Sequence, residues 1–243
     1  MNNSRPHLFG MLAGLFLAAG LVVASMLVTT TWLKIKNSQF ITVKGSTHKD
    51  VESDLVVWYG NFYAEAATLL DAQKKLQDNR LIVSDFLVGD GITNGAFAPI
   101  VIEELKGTLK TADGMVSQRT MGFRLTQSVR VESSDVDRID KLDTTALVEQ
   151  GVIFTTEAPD FIYTHAGEAK VEMLADATKD ARARAEQIAG QGGRNIASLH
   201  DADMGIFQIT PEHDSQTSAE GQNDKTARRK TITAVVTATF LLK

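Results

Sequence analysis

Cysteine is missing from all 243 residues. That excludes disulfides, thiolate chemistry and cysteine-based zinc sites. It does not fix the compartment, since a large core supports an exported domain without disulfides. An excess of positive charge is missing as well: 25 Lys and Arg stand against 30 Asp and Glu, for a formal net charge of -5. Nucleic-acid binders usually carry a basic stripe, so no nucleic-acid partner is expected. The densest basic knot, Arg228-Arg229-Lys230, reads as charge that caps a strand edge.

Catalytic and ligand-binding motifs are equally scarce. His48, His165, His200 and His213 form no H-x-x-x-H or H-E-x-x-H arrangement that brings two imidazoles to one metal. His213 sits between Glu212 and Asp214 in a polar loop, without the preorganisation that a metal site needs. Asp201 and Asp203 straddle Ala202 and could share a strand face. Paired carboxylates divide acid and base roles only where burial separates their pKa values, and a solvated turn is the plainer reading here. Gly89-Asp90-Gly91 ends a helical pattern rather than opening one, unlike a phosphate-binding loop. No G-x-S-x-G elbow is present. The expectation is a protein that is not an enzyme, with no catalytic residues, metal ligands or cofactor.

Long apolar runs number one. Residues Leu8 to Val28 carry no charge, enough to cross a hydrocarbon core of ~30 Å at about 1.5 Å per residue. Arg5 precedes the run, and Trp32, Lys34 and Lys36 follow at interfacial positions. A cleaved signal has a shorter apolar region of ~7–15 residues and an A-x-A-like site. Ala24-Ser25-Met26 is a poor match to that site, so an uncleaved signal anchor is expected. Gly10, Gly14 and Ala18 recur every four residues, a face that lets two helices approach closely, although small residues are common in membrane helices. Residues 1–37 thus read as a short cytoplasmic tail, the membrane span and a juxtamembrane segment, and residues 38–243 as one soluble domain.

Within that domain the hydrophobic period alternates between strand and helix. Phe40–Lys44 reads as a strand ended by Gly45, and Asp54–Ala64 as a longer one rich in Val, Trp, Tyr and Phe. Leu69, Ala72, Leu76, Val83 and Phe86 then share a helical face, stopped by Gly89-Asp90-Gly91. Pro99–Leu109 is a weaker strand, and Asp113-Gly114 supplies a turn. In the next strand Met121, Phe123, Leu125, Val129 and Val131 alternate with Arg124, Thr126, Ser128 and Arg130, as an antiparallel sheet with one solvated face requires. Ser134 is a candidate N-cap for a helix carrying Val136, Ile139, Leu142 and Leu147, ended by Gly151. Short strands follow at Val152–Thr155 and Phe161–Thr164.

The clearest helix places Val171, Leu174, Thr178, Ala181, Ala185 and Ile188 on one face and pairs Asp180 with Arg184 at i,i+4. Gly190, Gly192 and Gly193 end it. Its alanines suit either close helix–sheet packing or burial against another subunit. Ile196–Ile209 is strand material, Pro211–Thr226 a mobile polar loop, and Lys230–Leu242 a strand strong enough to be paired inside the sheet. Trp58, Tyr59, Met173, Met204 and Phe207 read as packing residues. The fold class is α+β, an antiparallel or mixed sheet with helices packed on one face, preceded by one transmembrane helix.

ATKDARARAEQIA at Ala177–Ala189, with glycines and a hydrophobic strand after it, resembles the signature helix of SIMPL-domain proteins. GFRLTQSVRVES at Gly122–Ser133, MGIFQITP at Met204–Pro211 and TITAVVTATF at Thr231–Phe240 resemble the same family in the same order. DLVVWYGNF at Asp54–Phe62 resembles a membrane-anchored bacterial branch. The resemblance implies a periplasmic or envelope protein, self-association into homo-oligomers, and links to oxidative-stress defence, without a catalytic residue set. The resulting expectation is a single-pass protein of the bacterial inner membrane with its C-terminal domain in the periplasm. Its role is non-enzymatic, self-associating and tied to envelope or oxidative stress tolerance. The alternative is a periplasmic binding module for a lipid, peptide or small ligand. A hydrolase comes third and requires His165 or His200 beside a buried carboxylate and a serine.

Overall fold

The computed structural model describes residues 6–37, 39–110, 116–214 and 221–243. Helix α1 (Pro6–Asn37) comes first. Its segment Gly10–Leu33 has mean hydropathy 2.4 and none of it is buried, so an apolar surface long enough to cross a bilayer is offered to the surroundings. Such a helix serves equally as a membrane anchor or as a secretion signal. Beyond it lie β1 (Phe40–Glu52), β2 (Leu55–Ala66), α2 (Leu69–Gly89), β3 (Ala96–Phe97), β4 (Val101–Lys110) and β5 (Val116–Ser133). Then follow α3 (Val136–Asp140), α4 (Thr145–Glu149), β6 (Ile153–Thr156), β7 (Asp160–Ile162), α5 (Ala166–Gln191), β8 (Ile196–Pro211) and β9 (Arg229–Leu242).

Packing separates two compact units, one of residues 1–47, 174–205 and 234–243, the other of residues 48–173 and 206–233. The larger is built on β2, which pairs antiparallel with β5 on one side and with β6 and β7 on the other. Because side chains alternate across a strand, Val56, Trp58, Phe62 and Ala64 of β2 lie on one buried face with Leu125, Val129 and Val131 of β5. Helix α2 supplies Ala72, Leu76, Val83 and Leu87 to the same core. Gly60 leaves room for aromatic rings there: a Cβ on it would come within 2.3 Å of Phe154 Cζ, and Phe154 stacks with Trp58 at a centroid distance of 5.9 Å. Gln127 stands in this buried row and is held by donating to the Ala98 carbonyl at 2.7 Å.

The helix stops fall at the expected glycines. After α2 the Gly91 amide donates to the Val88 carbonyl and the Ile92 amide to the Leu87 carbonyl, with Gly91 left-handed at φ 74°. Gly151 and Gly193 repeat that arrangement after α4 and α5, a termination that glycine adopts without a Cβ clash. The helix expected from Ser134 divides in two, α3 and α4, and its N-cap is Asp135, whose side chain accepts from the Arg138 amide. An aspartate one residue on outcompetes the serine. The Asp113-Gly114 turn lies outside the described residues.

In the smaller unit, α5 covers a core of Val43, Val236, Ala238 and Phe240. Within this unit its buried positions are Ala177, Ala181, Ala185 and Ala189, an i,i+4 ridge. Of the expected face, Ala181 and Ala185 are buried and Leu174 and Thr178 half-buried, whereas Val171 is 71% and Ile188 56% exposed. Alanine wins because it lets the helix axis approach the strand closely, which larger apolar side chains prevent. Gly45 completes that approach. It does not end β1, which runs on to Glu52; a Cβ there would lie 2.1 Å from the Ala177 carbonyl oxygen and 2.4 Å from the Ala181 nitrogen. The adjoining Ser46 amide donates to Asp180 at 2.8 Å, and Asp180 also pairs with Arg184 at 2.8 Å. Strand β9 is the middle member of a three-stranded sheet, between β1 and β8, so the terminal strand is internal as its alternation required.

Replacing Gly45 with alanine forces backbone apart on both sides. The expected loss of stability is about 3 kcal/mol, at the upper end for overpacking. Urea denaturation monitored by circular dichroism checks it; a loss below about 0.5 kcal/mol contradicts the close approach.

Candidate functional site

The arrangement nearest to a catalytic centre surrounds His165. Asp54, at the start of β2, faces the turn that opens α5. His165 Nε2 is 3.4 Å from its carboxylate and His165 Nδ1 is 3.3 Å from Glu168. The hydroxyl in the cluster belongs to Thr164, which donates to Asp54 at 2.5 Å while its amide donates at 2.7 Å. Burial by itself raises the Asp54 carboxyl; the Thr164 hydrogen bonds and the nearby imidazole outweigh it and hold the group below the ordinary range. The order is wrong for nucleophile activation, since the hydroxyl should face the imidazole and the imidazole the carboxylate. Here hydroxyl and imidazole share the carboxylate, and the His165 side chain is 58% exposed. The geometry tethers a turn to the sheet.

The other histidines stand apart from this cluster in role. His200 lies on β8 against the Phe40 ring at 4.6 Å. His213 takes a left-handed conformation at φ 67°, with Nε2 3.8 Å from Glu212. Among the described residues no three His, Asp or Glu side chains group as a metal would need. Asp201 and Asp203 are exposed and belong to strand β8, which corrects the reading of a turn. Met204 is 55% exposed on the same strand, against the packing role expected of it. Trp58 and Met173 are buried, and Phe207 carries the Lys170 ammonium 5.6 Å above its ring.

Two of the three members of the basic knot at the start of β9, Arg228 and Lys230, are tied to acidic side chains, and Arg229 is 72% exposed. Lys230 is 1% exposed and donates to the Asp224 carboxylate at 2.9 Å and to its backbone carbonyl at 2.6 Å. Asp224 further accepts from the amides of Thr226 and Ala227 and from the Thr226 hydroxyl. Burial pushes the Asp224 carboxyl up, but Lys230 and these three donors prevail and bring it down to about 2. Arg228 reaches Glu52 and Asp137, each at 2.7 Å. Residues 221–228 are therefore pinned, contrary to the expectation of a mobile loop through Thr226; residues 215–220 lie outside the described set. Composition alone concealed this, because a lysine and an aspartate in a polar stretch look solvated.

Two surface features remain. One is a groove of about 370 Å³ beside β2, lined by Tyr63, Glu65, Lys75, Asp78, Asn79 and Ile153 among others. Lys75 and Asn79 of α2 donate to the Glu65 and Tyr63 carbonyls at 3.3 Å each, so the strand edge where β6 stops is covered by side chains. Its lining is mixed and charged, unlike the apolar pockets that usually enclose small ligands. The other is the β4–β5 hairpin, where β5 is the one strand that β4 pairs with among the described residues and Val101, Ile102 and Met121 are exposed.

Fold and surface together define an α+β domain, following one apolar helix, whose described residues assemble no recognisable catalytic constellation. The chain belongs to the SIMPL family, described as protein of unknown function (DUF541), whose profile matches residues 41–240. No curated protein shows significant similarity to the chain.

The Asp224–Lys230 pair has a pH signature. Because the folded-state pKa is depressed from 3.8 to about 2, its contribution is complete above the unfolded value and disappears as pH falls from about 4 to about 2. Lys230→Met leaves the carboxylate buried without a counter-charge, held by the Thr226 and Ala227 amides and the Thr226 hydroxyl, at an expected cost of about 3 kcal/mol near neutral pH. Asp224→Asn should flatten the stability curve across that acid window. Equilibrium unfolding at a series of pH values measures both, and an unchanged acid limb in Asp224→Asn refutes the assignment.

Proposed function

We propose that the protein is a non-enzymatic component of the bacterial cell envelope. Helix α1 remains in the inner membrane as an uncleaved anchor, and the SIMPL domain stands in the periplasm and self-associates. The observation that carries this reading is where apolar surface is left over. Along Gly10–Leu33 none is buried, and on the β4–β5 hairpin Val101 is 65%, Ile102 56% and Met121 62% exposed. Surface of the first kind needs lipid; apolar groups on a strand edge invite another strand. The non-enzymatic part draws on the His165 cluster, whose hydroxyl is tied to Asp54 instead of the imidazole. A contribution to envelope or oxidative stress tolerance is drawn from the family resemblance.

A second reading, a binding module for a lipid, peptide or small ligand, draws on the groove beside β2. It ranks lower because Lys75 and Asn79 already occupy the carbonyls that an incoming strand would use. Saturable binding of an extended peptide that Lys75→Ala strengthens would reverse this order.

Full-length protein in mild detergent should sediment as a species larger than one chain plus its micelle, and mature protein should retain its sequence upstream of Met26. A strict monomer at high micromolar concentration removes the self-association claim. A mature N-terminus at or beyond Met26, with protein in the soluble fraction, removes the anchor.

A further inference from the structure

Resting on the self-association reading, we propose that the free edge of β4 pairs antiparallel with the same edge of a second copy, Leu105 opposite Leu105. The sheet dictates the register step by step. The amide of Glu157 donates to the Tyr59 carbonyl, so odd residues of β2 turn their backbone groups toward β6 and even residues toward β5. The unbroken β2–β5 register, Gly60 opposite Val129, then points the odd residues of β5 toward β2 and the even ones toward β4. The Ala98 amide on the Ser128 carbonyl agrees. With Val101 opposite Thr126 and Glu103 opposite Arg124, odd residues of β4 face β5. The shift between Leu105 and Lys106 leaves the extra residue, Met121, on β5, so alternation along β4 is uninterrupted. Ile102, Glu104, Lys106 and Thr108 therefore turn their amides and carbonyls outward, and no described strand meets them.

An antiparallel pair of such edges brings even residues opposite even residues, which leaves a short set of registers. Centring the two-fold on Glu104 sets Glu104 against itself. Centring it on Lys106 sets Lys106 against itself, and centring it on Glu103 does the same with Glu103. Like charges directly opposite are destabilising. Centring on Gly107 puts two residues without side chains at the two-fold, and centring on Ile102 carries the partners of Glu104 and Lys106 beyond the start of the strand. Centring on Leu105 places Glu104 opposite Lys106 twice, Ile102 opposite Thr108 twice, and the two Leu105 side chains together at a non-hydrogen-bonded position, where side chains come closest. Glu104 and Lys106 have no ion-pair partner among the described residues, whereas Glu103 is engaged by Arg124 at 3.4 Å. The two unengaged charges of the edge thus complement a second copy of the same edge. They also repel neighbouring registers, which gives the pairing specificity as well as attraction.

The cysteine-free chain makes the test clean. Leu105→Cys in the full-length protein, reconstituted in liposomes and treated with copper–phenanthroline, should form a disulfide-linked dimer in more than half of the molecules. A non-hydrogen-bonded pair has the Cα separation that a disulfide spans. Leu81→Cys, exposed on α2, should give less than about a tenth of that yield. Glu104→Lys and Lys106→Glu should each weaken association about tenfold, and the double exchange should restore it to within about threefold. Assembly in the sedimentation experiment without Leu105 cross-linking, or without rescue by the double exchange, overturns this edge pairing and leaves self-association standing. No assembly of the unsubstituted protein overturns both.

Discussion

The pairing of β2 with β5 is the constraint from which the larger packing unit follows. It runs without interruption from Val56 opposite Ser133 to Ala66 opposite Phe123. Because a slip of one residue exchanges the two faces of a strand, this register simultaneously places Val56, Trp58, Phe62, Leu125, Val129 and Val131 in the core. It also decides what each outer neighbour meets. On the β2 side, β6 and β7 cover most of the edge, and α2 side chains cap the rest. On the β5 side, β4 is added, and no described strand meets its outer edge. The site richest in consequence is therefore an edge made by topology, not a cluster of reactive groups.

The smaller unit depends on an approach too tight for ordinary apolar side chains. Glycine on β1 and alanines on α5 meet backbone to backbone, and the Ser46 amide bonded to Asp180 fixes the helix along the strand. Dispersion between closely packed small groups replaces the burial of large ones. The exposure of Ile188 follows from the same choice, since the ridge of small residues claims the inward face.

The family and the apolar helix are better defined than any side-chain constellation among the described residues. The groups that resemble a site in composition are structural ties. Thr164 and His165 share Asp54 to seat the start of α5, Arg228 gathers the carboxylates of Glu52 and Asp137, and Lys230 is enclosed with Asp224. Each takes a charge or hydroxyl that a reaction would need and spends its hydrogen-bonding capacity on holding a turn.

Much of the fold was legible in the chain because it is encoded locally. Alternation in Val116–Ser133 and Lys230–Leu242, glycines at Gly91, Gly151 and Gly193, and the charge-free run from Leu8 each act through near neighbours, so period and turn chemistry suffice. What the sequence by itself determined is the α+β class, the element order, the apolar helix and the family. Tertiary structure alone decided which face of α5 is buried, that Gly45 is a point of close approach, that Lys230 and Asp224 are a buried pair, and that β4 is an edge. Those outcomes depend on residues far apart in the chain meeting at a few ångströms, and neither periodicity nor composition reports separation in space.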